Sequence, residues 1–220
     1  MGCAVIDNEG KTLLSSVTGK NLFLTDLSSG ETKEFEDDNL RALASSQIIK
    51  YLEISSDGKS ALMACQDGKA RLIALDSLSV KQEFPLSTRN KCFLGFADND
   101  SKLVMQGDEY KVDFYETSGK LLNSINVEYL VIDACEDADG HIALCDSYST
   151  YLVNNDSCGL VAHARHGAVY LPSEKTFVLV DGKYMAASAY KPYTELIKEA
   201  KKQFPDDTLS EEERTKYNIN

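Results

Sequence analysis

The sequence of 220 residues predicts an all-β protein: a β-propeller of about five four-stranded antiparallel blades, followed by a C-terminal helical tail. Three observations predict this fold class. A unit of alternating apolar runs and polar turns recurs five times, the spacing of the units is typical of propeller blades, and the hydrophobic period changes after residue 190.

The first turn of each unit is the clearest mark of the repeat. The five turns are Asn8-Glu9-Gly10-Lys11, Ser56-Asp57-Gly58-Lys59, Asn99-Asp100-Ser101-Lys102, Ala138-Asp139-Gly140-His141 and Ser173-Glu174-Lys175-Thr176. Their successive spacings are 48, 43, 39 and 35 residues. Because Asp, Asn and Gly tolerate the positive φ of a tight hairpin, these turns predict strand–turn–strand units.

The runs that flank these turns alternate in hydrophobicity and predict four short strands per unit. The predicted propeller covers residues 1–190, and its units lie near 3–36, 48–84, 91–126, 128–163 and 167–190. A four-stranded meander cannot bury both of its faces alone, whereas radial stacking of such sheets buries them. This repeat therefore favours a propeller over a sandwich.

A polar residue also closes the third run of four units, at Asp26, Asp76, Glu116 and Asn155. We expect these side chains to bond the backbone of the turn that follows.

The fifth unit supplies three strands, and no spare strand precedes Cys3 that could complete it. Two arrangements follow from this count. Either five units close into a ring with a three-stranded last blade, or the chain is part of an incomplete or split ring. In the second case open blade edges invite self-association or pairing with another chain.

The tail, residues 191–220, has a helical period. Tyr193, Leu196, Ile197, Ala200 and Phe204 form one apolar stripe, and a capping box of Ser210 and Glu213 predicts a second short helix. The stripe is expected to pack on the rim of the propeller or to dock onto a partner or neighbouring domain.

The segment YTELIKEAKKQFPDDTLSEEERTKYNI (193–219), with Leu209, Ser210, Glu212, Glu213 and Tyr217, resembles the C-terminal tail of bacterial WD40-like β-propeller repeat proteins. The resemblance implies a true C-terminus and a sensor or scaffold ancestry. Such propellers often belong to multidomain proteins with NTPase, TIR, protease or kinase modules, and no such module precedes the repeats here. The GH and WD dipeptides of the repeats are also absent.

Composition narrows the classes of partner. The net charge of −12 disfavours nucleic acid and anionic membrane surfaces, and no apolar run is long enough to span a membrane. Six cysteines without CxxC pairs, in a chain without a secretion signal, predict reduced structural thiols and a cytoplasmic protein.

The chemical motifs are weak. His163 and His166 would point to opposite faces of a strand, with only His141 as a third histidine, so no metal site is predicted. The Asp137–Gly140 segment resembles the start of a calcium loop but lacks its later ligands, and hairpin chemistry explains it better. No phosphate loop, nucleophile elbow or supported triad is found, so no catalytic, cofactor or metal residue is assigned.

The predicted function is a non-enzymatic scaffold or sensor module of the WD40-like type that binds a protein or peptide through residues not yet assigned. One alternative is a structural part of a larger propeller completed by another chain or a dimer. The other is a propeller-type hydrolase or sugar-binding protein, which would need carboxylates or histidines at matching positions of several first strands, converging on the axis. Asp7, Glu53 and Asp133 lie near first strands, but in different registers.

Overall fold

A computed structural model describes residues 3–16, 21–35, 38, 49–86, 94–108, 110–137, 139–165, 169–181, 184–189, 191, 195, 198–199 and 201–202. The predicted tail falls almost entirely outside these residues, so its two helices remain a prediction. The first residues of the predicted unit 91–126, up to residue 93, also lie outside the described residues.

The described residues form nineteen strands in five antiparallel sheets, each a meander in chain order. Unit 1 contains β1 Cys3–Ile6, β2 Thr12–Ser16, β3 Leu22–Asp26 and β4 Thr32–Glu34. Unit 2 contains β5 Ile49–Ile54, β6 Ser60–Cys65, β7 Lys69–Ala74 and β8 Ser79–Pro85. Unit 3 contains β9 Leu94–Ala97, β10 Lys102–Asp108, β11 Lys111–Glu116 and β12 Leu121–Asn126. Unit 4 contains β13 Asp133–Glu136, β14 His141–Cys145, β15 Ser149–Asn154 and β16 Leu160–Arg165. Unit 5 contains β17 Val169–Leu171, β18 Thr176–Asp181 and β19 Tyr184–Ala189.

The turn chemistry predicted from the sequence forms the first hairpins. Asp7 accepts a hydrogen bond from the Lys11 amide at 2.7 Å, and Asp137 accepts one from the His141 amide at 2.9 Å. Gly140 takes a φ of 77° in the second of these turns, a conformation that a side chain would strain. The aspartate side chain at the start of the turn thus accepts a hydrogen bond from a backbone amide that has no backbone partner in the hairpin.

The expected closure of the third strands is confirmed in two units and differs in the others. Asp26 accepts the amides of Ser28 and Ser29, and Asp76 accepts the amide of Ser77.

The Glu116 carboxylate instead bonds the side chains of Ser118 and Lys120, because its longer chain reaches past the turn backbone. In unit 4 the Asn154 side chain accepts the Ser157 amide, one residue earlier than the predicted Asn155.

The middle strands of the sheets are buried on both faces. In β6 and β7 every residue except the first is buried, whereas all three residues of β4 are exposed. A sheet with one solvated face would show alternation instead. The central strands therefore lie between two neighbouring sheets, as radial stacking requires.

Four apolar clusters join successive units. Side chains of Leu14 and Leu22 in unit 1 share a cluster with Met63 and Ile73 of unit 2. The three clusters that follow join Leu72 to Met105, Phe114 to Ile142, and Leu152 to Phe177. Among the described residues, none of these clusters joins unit 5 to unit 1.

The two end sheets each leave an apolar face without such a cluster. In unit 1, Ile6 pairs with Leu13 on the face away from unit 2, and 54% of Ile6 is exposed. In unit 5, Val169 pairs with Val178 on the face away from unit 4, and 52% of Val169 is exposed. Met185, on this same face, is 77% exposed.

These observations confirm the predicted fold class. The described residues form five propeller units, the first four with four strands and the fifth with three. In the described part of the chain, the sheets of units 1 and 5 each carry exposed apolar side chains on the face away from the neighbouring unit. No helix among the described residues is long and apolar enough to cross a membrane.

Candidate functional site

The most distinctive exposed surface lies at the junction of units 3 and 4. Three tyrosines and one isoleucine lie there, all with large exposed fractions: Tyr110, Tyr129, Ile132 and Tyr148. They belong to the β10–β11 turn, the connector from β12 to β13, and the β14–β15 turn. In an antiparallel meander these three segments emerge at the same end of the sheets. We call these four residues the tyrosine surface.

One ring contact and one backbone hydrogen bond link the segments that carry the tyrosine surface. The rings of Tyr129 and Tyr148 contact each other with centroids 4.7 Å apart and planes tilted by 49°. The Tyr110 carbonyl accepts a hydrogen bond from the Val127 amide at 2.9 Å, which joins the β10–β11 turn to the connector. Large apolar side chains grouped on a surface are typical of interaction sites, whereas isolated ones are ordinary.

The connector is fixed in place by a buried glutamine. Gln106, which is 3% exposed, accepts the Val131 amide at 2.7 Å and donates to the Tyr129 carbonyl at 3.4 Å. The next residue, Ile132, donates its amide to the Cys145 carbonyl at 2.8 Å. A buried amide side chain that bonds backbone groups in this way specifies one loop conformation.

A second buried network fixes the connector from unit 4. The hydroxyl of Tyr151 accepts the Glu128 amide at 2.7 Å and donates to Asp146 at 3.2 Å. Asp146 in turn accepts the amides of Tyr148 and Ser149 at 2.7 and 2.6 Å. Burial raises the pKa of Tyr151, and the charge of Asp146 adds to this, so the hydroxyl keeps its proton and remains a donor.

We expect Tyr151→Phe to lower the free energy of unfolding by about 1–2 kcal/mol, because the Glu128 amide and Asp146 lose a buried partner. Amide hydrogen exchange at Glu128 should accelerate together with this loss. Tyr148→Phe is the matched control, since the Tyr148 side chain is exposed, and it should change neither quantity. Unaltered exchange at Glu128 in the Tyr151 variant would show that the hydroxyl does not fix the connector.

The three carboxylates considered for catalysis, Glu53, Asp133 and Asp7, occupy different positions along their strands. Glu53 is near the end of β5, Asp133 begins β13, and Asp7 follows the end of β1. Burial raises the pKa of Glu53, and the charges of Asp100 and Asp133 raise it further, while the Tyr51 hydroxyl donates to it at 2.8 Å. The structure thus places Glu53 and Asp133 within electrostatic reach of each other but does not align the three carboxylates.

The histidines and the Asp137 turn have structural contacts. The ring of His163 stacks on Tyr151 with centroids 4.4 Å apart, and His141 lies 3.0 Å from an Asp137 oxygen. Asp137 also accepts the Tyr170 hydroxyl at 2.6 Å, a bond that joins unit 4 to unit 5. Within the described part of the chain, no three metal-binding side chains group together. His166 lies outside the described residues.

The cysteines of the described residues are free thiols. Burial raises the pKa of Cys135 to about 11, with smaller contributions from Cys145, Asp133 and Asp137. A thiol with that pKa is protonated at neutral pH and is a poor nucleophile.

Cys135 lines a hollow of about 350 Å³. This hollow lies at the end of units 3 and 4 that is opposite the tyrosine surface. Phe96, Asp100 and Glu136 also line it, and both carboxylates already accept backbone hydrogen bonds, from Ser56 and Asp98.

Comparison with known proteins supports the fold. No protein-family model matches the sequence, and no curated protein matches it. Among solved structures, the chain is similar to the crystal structure of the Myceliophteria thermophila Cps50 (Swd1) β-propeller domain. That similarity has a TM-score of 0.52 and 9% identity, and covers 86% of this chain and 83% of the other.

At this identity the similarity shows the fold alone. The fold and its strand order define the protein as a β-propeller, and the resemblance to WD40-like propellers is supported at the level of architecture.

Proposed function

We propose that the chain is a non-enzymatic, cytoplasmic protein- or peptide-binding module of the WD40-like type, and that its partner docks on the tyrosine surface. The observation that carries this proposal is an exposed aromatic group on a connector that buried polar residues hold rigid. Tyrosine is enriched at the centres of protein interfaces, because its ring supplies contact area at a small cost in conformational entropy.

The rigidity of the connector supports binding in a second way. Ordering a loop on association consumes part of the interaction free energy, and a loop that is already fixed avoids that cost. Gln106 and Tyr151 hold the connector from both units before any partner arrives. Such buried polar contacts add little to the stability of an apolar core. Their presence here therefore supports a role in holding Tyr129 and Ile132 in position for a partner.

Affinity capture followed by quantitative mass spectrometry tests this function in the organism's own lysate. We expect proteins retained by the wild-type chain to be lost from a Tyr129→Ala/Tyr148→Ala variant, because single interface anchors contribute about 2 kcal/mol or more. Leu27→Ala is the control, since Leu27 is also exposed but lies in a turn of unit 1. Equal retention by all three chains would contradict the proposal.

A second candidate function is a structural part of a larger propeller, completed by a second copy or by another chain. The exposed apolar end faces of units 1 and 5 favour it, because successive units bury the equivalent faces in clusters. Large exposed apolar patches drive association until they are covered.

Sedimentation equilibrium tests this second function. We expect the purified chain to exceed its monomer mass of 24.3 kDa, and Val169→Asp/Met185→Asp to return it to that mass. A control with Leu121→Asp, at an exposed position of unit 3, should associate like the wild type. A monodisperse wild-type monomer with a cooperative melting transition would contradict a split ring.

A further inference from the structure

One carboxylate side chain lies directly behind the tyrosine surface. Asp146 lies beneath Tyr148, and the donors that reach it are two backbone amides and the Tyr151 hydroxyl. These donors are neutral, so they stabilise the carboxylate without cancelling its charge. Because Asp146 is only 7% exposed, solvent and salt screen its field less than that of a surface carboxylate.

A second carboxylate borders the same surface. Asp133 follows Ile132 directly and is exposed. Asp133 pairs with Cys145 across β13 and β14, and Asp146 follows Cys145 directly in the chain. Cys145 also accepts the Ile132 amide through its carbonyl. The two carboxylates therefore flank Cys145, the residue at the end of β14 that binds the Ile132 amide.

The tyrosine rings favour the same sign of ligand charge. The face of an aromatic ring carries partial negative charge and attracts an ammonium or guanidinium group. Tyr129 and Tyr148 are 47% and 58% exposed, so parts of both rings are open to a ligand. The net charge of −12 on the whole chain steers cationic partners towards it and slows acidic ones.

We propose, on the basis of the docking function given above, that the tyrosine surface binds an extended partner segment carrying an arginine or lysine. The aliphatic stem of that side chain lies on Ile132 and the tyrosine rings, and its cationic head lies towards Asp133 and Asp146. An acidic segment would place like charges together, and a wholly apolar segment would leave the exposed Asp133 and the tyrosine hydroxyls without a matching group.

Selection from a displayed library of random 12-residue peptides tests this partner class without a known ligand. The library is selected on the wild-type chain and, in parallel, on the Tyr129→Ala/Tyr148→Ala variant. We expect the peptides that depend on the two tyrosines to be enriched in arginine or lysine. Enrichment that depends on the tyrosines but lacks basic residues would overturn the inference and leave the docking function standing. No tyrosine-dependent peptide at all would overturn both.

Titration of the strongest selected peptide, by fluorescence anisotropy, then isolates the charge. The peptide is made with arginine or with citrulline, which has nearly the same shape and no charge. We expect citrulline to weaken binding about five- to tenfold, and Asp133→Asn to weaken binding of the arginine form about threefold. Asp76→Asn is the control, because Asp76 lies in the β7–β8 turn of unit 2, at the end of the sheets opposite the tyrosine surface. It should leave the affinity unchanged. Equal affinity of the two peptides for the wild type would overturn the proposal.

Discussion

Replacing Phe114 by alanine is expected to lower the free energy of unfolding by about 3–5 kcal/mol, the range for an aromatic residue removed from a packed core. Phe114 lies in β11, is completely buried, and belongs to the cluster that joins unit 3 to Ile142 and Tyr151 of unit 4. The loss would combine the transfer of the ring to water with the cavity left between two sheets, which cannot collapse without moving a blade.

Chemical denaturation measures this effect, with Leu121→Ala as the control in the same unit. Leu121 is 48% exposed, so its truncation should change stability by no more than about 0.5 kcal/mol. A Phe114 variant as stable as the Leu121 variant would show that units 3 and 4 are not packed as described.

Replacing Arg71 by methionine is expected to lower the free energy of unfolding by about 2–3 kcal/mol at neutral pH. Only 3% of the Arg71 side chain is exposed, and its guanidinium lies 2.6 Å from an Asp67 oxygen and 2.8 Å from a Glu83 oxygen. The expected loss of stability is smaller than for a fully buried ion pair, because Asp67 and Glu83 reach solvent and regain hydration when the cation is removed.

The loss at Arg71 should depend on pH in a defined direction. Burial raises the pKa of Asp67, but the hydrogen bond and charge of Arg71 outweigh it, so the pKa lies below the ordinary 3.8. The pKa of Glu83 is also lowered, first by the hydrogen bond from Lys69 and then by Arg71. Carboxyl groups with lowered pKa values stabilise the fold above their ordinary pKa and lose that contribution as pH falls.

Denaturation of the wild type and the Arg71→Met variant from pH 7 to pH 3 measures this dependence. The difference in stability should be constant near neutrality and narrow as pH falls below about 4, where Asp67 begins to be protonated. Lys69→Met is the control, since Lys69 also bonds Glu83 but is 49% exposed, and it should cost less than about 1 kcal/mol. A difference that widens in acid would contradict the assigned ion pairs.

The sequence predicts the strands and their hairpins because both depend on interactions between residues that are close together in the chain. Asp7 and Asp137 close their turns through amides only a few residues away, and Gly140 supplies the positive φ that its turn needs. Alternation within each run then sets which face is apolar. At Glu116 the expected bond to the turn backbone is wrong, because the glutamate side chain is one methylene longer than aspartate and reaches the Ser118 hydroxyl instead.

The tyrosine surface could not be predicted in the same way, because its members come from three segments of two units. Tyr129 and Tyr148 come into contact only when the connector after unit 3 packs against unit 4, and no local pattern reports that packing. Two traces of it are present in the sequence: Gln106 directly follows the apolar run 103–105 of β10, and Tyr151 directly precedes the apolar pair 152–153 of β15. A polar group in such a position requires a partner, and here that partner is the connector.

Photo-crosslinking in cells tests the central claim, that a protein docks on the tyrosine surface, most directly. A benzophenone-bearing amino acid replaces Tyr148 in one chain and Leu27 in another, both of them exposed positions that tolerate a large ring. We predict a discrete crosslinked partner from position 148, lost when Tyr129→Ala is added, and none from position 27. Crosslinks of equal yield from both positions, or from position 27 alone, would contradict this assignment of the docking surface.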